Sequence, residues 1–258
     1  MIHCNLLTST LILLLLSNHS AAEDPRWPLV HTIPAAEAHQ AAAATQQHFY
    51  AISSTVVARY DRETGARLEV SSGEAKHLNS GFLWHDRLLL AHSNYPAVPE
   101  QSQVMQLNLQ TMRLSVFHDF RDYGGSLTWV IRHRNEWWCN FARYDEHNAE
   151  TFLVSFDDNW NELGRWTFPP EVISQLGRYS LSGGLWYDDS LLTTDHDNGR
   201  IYRLQLPAAG SVLKFIGSEQ VPFTGQGFAV DPLTGGLIGI SRKEQQIRLT
   251  GPRLPAID

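Results

Sequence analysis

His77, His92 and His196 are the side chains of this chain suited to moving a proton near neutral pH or to ligating a divalent metal through an imidazole nitrogen. Arg143 and Arg242 carry the planar fork that grips a carboxylate through parallel hydrogen bonds. Gln40, Asn79, Asn94, Asn140 and Gln226 offer amides, Ser126 and Ser182 offer hydroxyls, and Glu37 offers a carboxylate. Together they suit a small polar ligand, a sugar or a sugar acid. As an enzyme the set suits a lyase or isomerase. His92 or His196 would act as acid or base, Arg143 and Arg242 would orient a carboxylate, and Asn79 and Asn94 would fix hydroxyls. Held together, His77, His92 and His196 with an oxygen from Gln40 or Gln226 would suit Zn, Mn or Fe. No short-range histidine spacing supports that site, so it depends on a fold that gathers distant positions.

The positions recur. Gln40 opens a strand whose partner returns at Ser53. Asn79 is answered by His92, Ser126 by Asn140, Ser182 by His196 and Gln226 by Ser241, each 13 to 15 positions later. The openings at 40, 79, 126, 182 and 226 give a period of about 40 to 55 residues with no long amphipathic helix inside it, which predicts propeller blades of four short strands. Alternating apolar and polar residues flank turns at Asp61–Gly65, Asn108–Met112, Asp157–Asn161 and Pro207–Gly210, the pattern of half-buried hairpins. The last repeat supplies only three strands, GFAVD, LIGIS and QIRLT. The early segment LVHTI (29–33) is a strand without a blade, so it is expected to complete the last one. The expected fold is therefore all-β, a five-bladed β-propeller closed by an N-terminal outer strand. In such a ring, residues that open first strands and close second strands surround one mouth of the channel. The insertions at Tyr95–Gln103 and Arg143–Glu150 would wall that mouth, and Pro169–Gly177 reads as one or two helical turns.

Composition bounds the partners. The 258 residues carry a net charge of −7, and the 20 basic residues form no cluster, which excludes a nucleic-acid partner. The apolar run around Leu11–Leu16, followed by small residues up to Ala22, predicts a secretory signal over 1–22 and a single mature domain over 23–258, exported to the periplasm or beyond, monomeric and free of the membrane. An uncleaved anchor is the lesser reading, because the run is short for a span. Cys4 would leave with the leader, so Cys139 stands alone and is expected to be an inert buried thiol.

Other chemistries are poorly served. Glycoside hydrolysis needs facing carboxylates, and only Glu37 and Asp197 are placed for it, with Asp145 in reserve. There is no phosphate-binding loop, nucleophile elbow or HExxH helix. Trp84, Trp129 and Trp186 fall in first strands and are expected in the blade core.

The blocks EAHQAAA, HFYAIS, ARYDRETG, HLNSG, LLLAHSNYP, GGSLTW, WWCNFARY, YSLSGGLW, GQGFAVDP and LIGISR resemble a group of exported bacterial β-propeller proteins described as hypothetical or cycloisomerase-like. The resemblance spans about residues 29 to 250. It implies the propeller fold, and its cycloisomerase label implies a lactone or muconate-type carboxylate substrate. The rival reading is a non-catalytic scaffold that binds another protein through blade edges or the opposite face.

Overall fold

A computed structural model describes residues 25–255; the leader expected over 1–22 lies outside them. The described chain forms five antiparallel sheets of four strands, a five-bladed propeller. The first strand, β1 (Leu29–Pro34), stands apart. Blade 1 contains β2 (Ala41–Ala44), β3 (His48–Ile52), β4 (Val57–Asp61) and β5 (Arg67–Val70). Blade 2 contains β6 (His77–Trp84), β7 (Arg87–Ser93), β8 (Ser102–Asn108) and β9 (Arg113–Arg121). Blade 3 contains β10 (Ser126–His133), β11 (Glu136–Ala142), β12 (Phe152–Phe156) and β13 (Glu162–Thr167). A short helix, α1 (Pro170–Ile173), leads to blade 4, which contains β14 (Gly183–Tyr187), β15 (Ser190–Thr194), β16 (Arg200–Gln205) and β17 (Lys214–Gln220). Blade 5 contains β18 (Ala229–Val230), β19 (Leu237–Ser241) and β20 (Gln246–Thr250), and β1 pairs with β20 as its outer strand. The ring thus closes on the N-terminal strand that the sequence left over.

The core is divided among the blade interfaces. Five clusters of buried apolar side chains fill the five gaps between neighbouring sheets. Phe49 and Tyr60 of blade 1 meet Ile238 and Ile240 of blade 5, with Ile33 of β1 in the same cluster. Trp27 is fully buried against blades 4 and 5, and its indole N–H donates to Glu219 at 2.9 Å. Burying a large apolar side chain contributes about 1.5–3 kcal/mol, so Ile33, the one buried side chain of β1, and Trp27 each add to the closure. Cys139 is fully buried between blades 2 and 3, and burial pushes its thiol pKa up, as an inert thiol requires. Trp129 is fully buried, whereas Trp84 and Trp186 only lean on the core from its margin.

The inner strands close the channel between its two ends. Gly227 comes so near blades 1 and 2 that a Cβ there would lie 2.6 Å from the Ala41 side chain and 2.7 Å from Ser80. At this level hydrogen bonds run from blade to blade around the whole circle. Leu78 N–H donates to Ser54 O at 2.8 Å, and the Asn79 amide donates to Leu127 O at 3.3 Å. The Thr128 hydroxyl donates to Leu181 O at 2.7 Å, and the Thr194 hydroxyl to Gln226 O at 2.6 Å. Gly227 N–H then donates to Gln40 O at 2.9 Å, returning to blade 1.

Candidate functional site

Above this floor lies a cavity of about 190 Å³ to which every blade contributes one residue near the floor: Gln40, Asn79, Thr128, Ser182 and Gln226. His77, His196, Arg242, Tyr95, Tyr144 and Tyr179 form its walls. No carboxylate lines it.

Backbone irregularities aim several of these residues. In β6, Asn79 and Ser80 together face the single residue Ala91, and in β10, Thr128 is the extra residue between the pairs Leu127–Phe141 and Trp129–Asn140. Such bulges re-aim a side chain out of the strand's alternation. Gln226 is 1% exposed and has φ 94, a conformation costly for a residue with a Cβ. It is held there by its N–H on Asp195 O at 2.7 Å and its carboxamide on His196 O at 3.0 Å.

The walls depend on the insertions. The two sides of the Asn94 amide clamp the loop that follows, its nitrogen on Pro99 O at 3.0 Å and its oxygen on the Gln101 N–H at 2.8 Å, which presents Tyr95. The short 3-10 helix Asp145–Glu150 braces the chain leading into blade 4, because Asn148 donates to Gly177 O and Tyr179 O at 2.7 and 3.1 Å. Tyr144 and Tyr179 are set by this bracing. The Tyr95 ring contacts His77 (centroids 5.3 Å) and Tyr144 (4.8 Å). Burial raises the Tyr144 phenol well above its ordinary pKa.

The charged centre is Arg242 with His196. Arg242 Nη1 lies 3.0 Å from His196 Nε2, and its Nε donates to His39 O at 2.9 Å. A guanidinium only donates, so His196 Nε2 accepts and the ring proton sits on Nδ1, 2.6 Å from Asp197 Oδ1. Tyr179 stacks on the imidazole at 3.9 Å. Burial lowers the His196 pKa most; Arg242 also lowers it and Asp197 opposes. His77 is lowered by burial first, then by Arg242 and His196. Both shifts favour the neutral ring. Burial lowers the Arg242 pKa as well, and among the described residues no carboxylate lies within ion-pair distance of it.

Of the residues singled out in the sequence, the fold brings Gln40, His77, Asn79, Ser182, His196, Gln226 and Arg242 to the cavity and leaves the others outside it. His92 turns Nε2 onto the Lys76 N–H at 3.0 Å beneath the wall. Arg143 donates to Gly124 O and lies 3.9 and 3.8 Å from Glu100 and Glu150, tying the two insertions together. Glu37 accepts from the Tyr60 hydroxyl and pairs with Arg67. Asn140 supports Thr128 from behind, donating to its hydroxyl at 2.9 Å, and Ser126 is fully buried. The His77, His92 and His196 metal triad does not assemble: among the described residues no three His, Cys, Asp or Glu side chains gather to hold an ion. Thr128 and Tyr179 join the site unannounced. Thr128 is displaced into it by the bulge, and Tyr179 follows a segment whose sequence signals only a helical turn.

No protein-family model matches the chain, and no curated protein matches it. Among solved structures it is similar to the glutaminyl cyclase of Myxococcus xanthus, with 12% identity, TM-score 0.61, and 90% of this chain and 97% of that one covered. It is also similar to the Cps50 (Swd1) β-propeller domain of Myceliophteria thermophila, with 9% identity, TM-score 0.47, and 86% and 99% covered. At these identities the likeness is one of fold.

Proposed function

We propose that the floored cavity binds a small carboxylate-bearing polar molecule, a sugar acid being the favoured class, and that turnover, where it occurs, is that of a lyase or isomerase. One observation carries this reading: Arg242 reaches the cavity wall as a guanidinium that, among the described residues, has no carboxylate within ion-pair distance and feels Asp197 only from beyond it, in a cavity lined by amides, hydroxyls and aromatic rings. A half-buried cation of this kind is completed by an anion from outside. The nitrogens of Gln40, Asn79 and Gln226 and the hydroxyl protons of Thr128 and Ser182 are already engaged, so their oxygens are what remain to accept from the ligand's hydroxyl groups.

The same contact supplies a route to chemistry. Arg242 occupies the lone pair of His196 Nε2. A bound carboxylate competes for the guanidinium and leaves Nε2 free as a base, with Asp197 steadying the imidazolium that forms. The proton α to the carboxylate moves to Nε2 and its electron pair moves into the carboxylate, held by Arg242. Return of the proton to the opposite face of the same carbon, or to the γ-carbon of a β,γ-unsaturated acid, completes an isomerisation; departure of a β-oxygen that takes with it the proton held on Nε2 completes an elimination. This scheme uses no metal.

Calorimetric titration with galacturonate, glucuronate, muconate and a glutaminyl peptide tests the reading. The peptide is the counter-ligand, because the cyclase among the structural neighbours acts, by its name, on a glutaminyl group. Binding of an acid that weakens at least about tenfold in Arg242→Gln, a loss of about 1.4 kcal/mol, is the expected result. Binding of the peptide alone, unchanged in that variant, overturns it.

A further inference from the structure

The opposite face carries a second, larger cavity. Between the hairpin turns of blades 3 and 4 lies a groove of about 500 Å³ whose apolar lining comprises Trp138, Trp166, Trp186, Leu163 and Leu206. Drug-sized ligands occupy cavities of about 300–1,000 Å³. Trp138 and Trp166 stack with centroids 5.4 Å apart, Trp186 stands edge-on to Trp138 at 5.1 Å, and His133 stacks on Trp186 at 4.8 Å. Trp166 lies across Gly164, where any Cβ would collide with its ring. The floor therefore presents ring surfaces in two orientations. Leu163 and Leu206 are 56% and 39% exposed on its flanks.

Two further features point to a ligand. Trp138 is 4% exposed, and among the described residues neither its buried indole N–H nor that of Trp186 has an acceptor. The rim is polar, with Glu136 and Gln205 along it and an ion pair between Arg134 and Asp189 bridging the two turns. It holds two carboxylates against one guanidinium, which disfavours an anion.

We propose that this groove binds a neutral oligosaccharide, whose sugar rings lay their C–H faces on the half-buried indoles of Trp166 and Trp186. Gln205 and Glu136 bond the outward hydroxyls. The groove is separated from the floored cavity by the body of the blades and does not depend on the reading of that cavity. An apolar depression of about 280 Å³ at the adjoining end of the channel shares His133 and Trp186 with it but is otherwise lined mainly by aliphatic and aromatic carbon, which suits a hydrophobic segment better than a sugar. That alternative belongs in the test.

The test is titration of the protein with cello-, xylo-, manno- and maltohexaose, followed by intrinsic tryptophan fluorescence and calorimetry. At least one hexaose is expected to bind saturably. Trp186→Ala is expected to weaken it about tenfold or more, and Gln205→Ala and Glu136→Gln, on the rim where folding is not at stake, about threefold to tenfold. Arg242→Gln should leave it unchanged. Four outcomes would each overturn the proposal: no saturable response to any hexaose, affinity indifferent to the rim variants, affinity lost in Arg242→Gln, or uptake of a leucine-rich peptide in place of sugar.

Discussion

Asn79 and Thr128 occupy one and the same position in successive blades. Each follows a fully buried leucine, Leu78 or Leu127, at a bulge in the inner strand, and each donates to a backbone carbonyl of the next blade. The bulge turns a strand residue into both a cavity residue and a link between sheets.

Replacing Thr128 with Val keeps the shape and removes the link. The Leu181 carbonyl loses its hydroxyl donor and Asn140 loses an acceptor, both in a buried setting. A loss of about 1–3 kcal/mol is expected, read as a lower urea midpoint, with Thr128→Ser recovering most of it. Equal midpoints for the Val and Ser variants would show that the hydroxyl is not what holds the two blades.

Acid should weaken the fold through His92. Burial depresses its folded pKa to about 4 from an unfolded value of 6.5. Between those values the unfolded chain binds more protons, so stability is fully present above about pH 6.5 and is lost as pH falls toward 4. The loss is on the order of 3 kcal/mol. His92→Gln, which keeps an acceptor for the Lys76 N–H, should flatten the urea midpoint between pH 7 and pH 4.5; an unchanged slope would assign the acid sensitivity to other groups.

The pH profile of the cavity should have the opposite character for binding and for chemistry. His196 titrates below its ordinary value because burial opposes its charge. As pH falls through that lowered pKa, the ring gains a proton, loses its role as acceptor from Arg242 and adds positive charge. Uronate affinity is expected to hold or rise on the acid side while any turnover falls; His196→Gln should abolish the dependence of turnover and leave to His77 what remains of the dependence of binding.

The Arg62–Asp231 pair fastens blade 1 to blade 5. Arg62 donates to both carboxylate oxygens at 2.8 and 2.5 Å, and the Asp231 side chain is fully buried. Arg62→Ala strands that carboxylate and is expected to cost about 3–5 kcal/mol, with Arg62→Ala/Asp231→Asn recovering part of it. A double variant no more stable than the single one would show that the packing of Arg62 on Phe49, at 4.6 Å, matters more than its charge.

The blades were legible because strand alternation and turn residues repeat locally, and the missing outer strand could be counted. The cavity was legible wherever strand ends alone set it, as for Gln40, His77, Ser182, His196, Gln226 and Arg242. It failed at Ser126, because the bulge beyond it hands the cavity position to Thr128, two residues on, and such a slip leaves no trace in composition. It failed differently at Glu37, Asn94 and Arg143. These polar residues near the site are consumed by Tyr60 and Arg67, by a loop and by a carbonyl, and their partners lie beyond the reach of any local pattern.

The circle of hydrogen bonds beneath the cavity girdles the channel, so a strain on any one blade is passed to its neighbours at the level of the cavity residues. The mouth above is framed by Tyr95, Tyr144 and Tyr179, and the insertions that carry the first two are braced on one another through Arg143. The width of that opening is therefore set by contacts far along the chain from the residues it admits a molecule to.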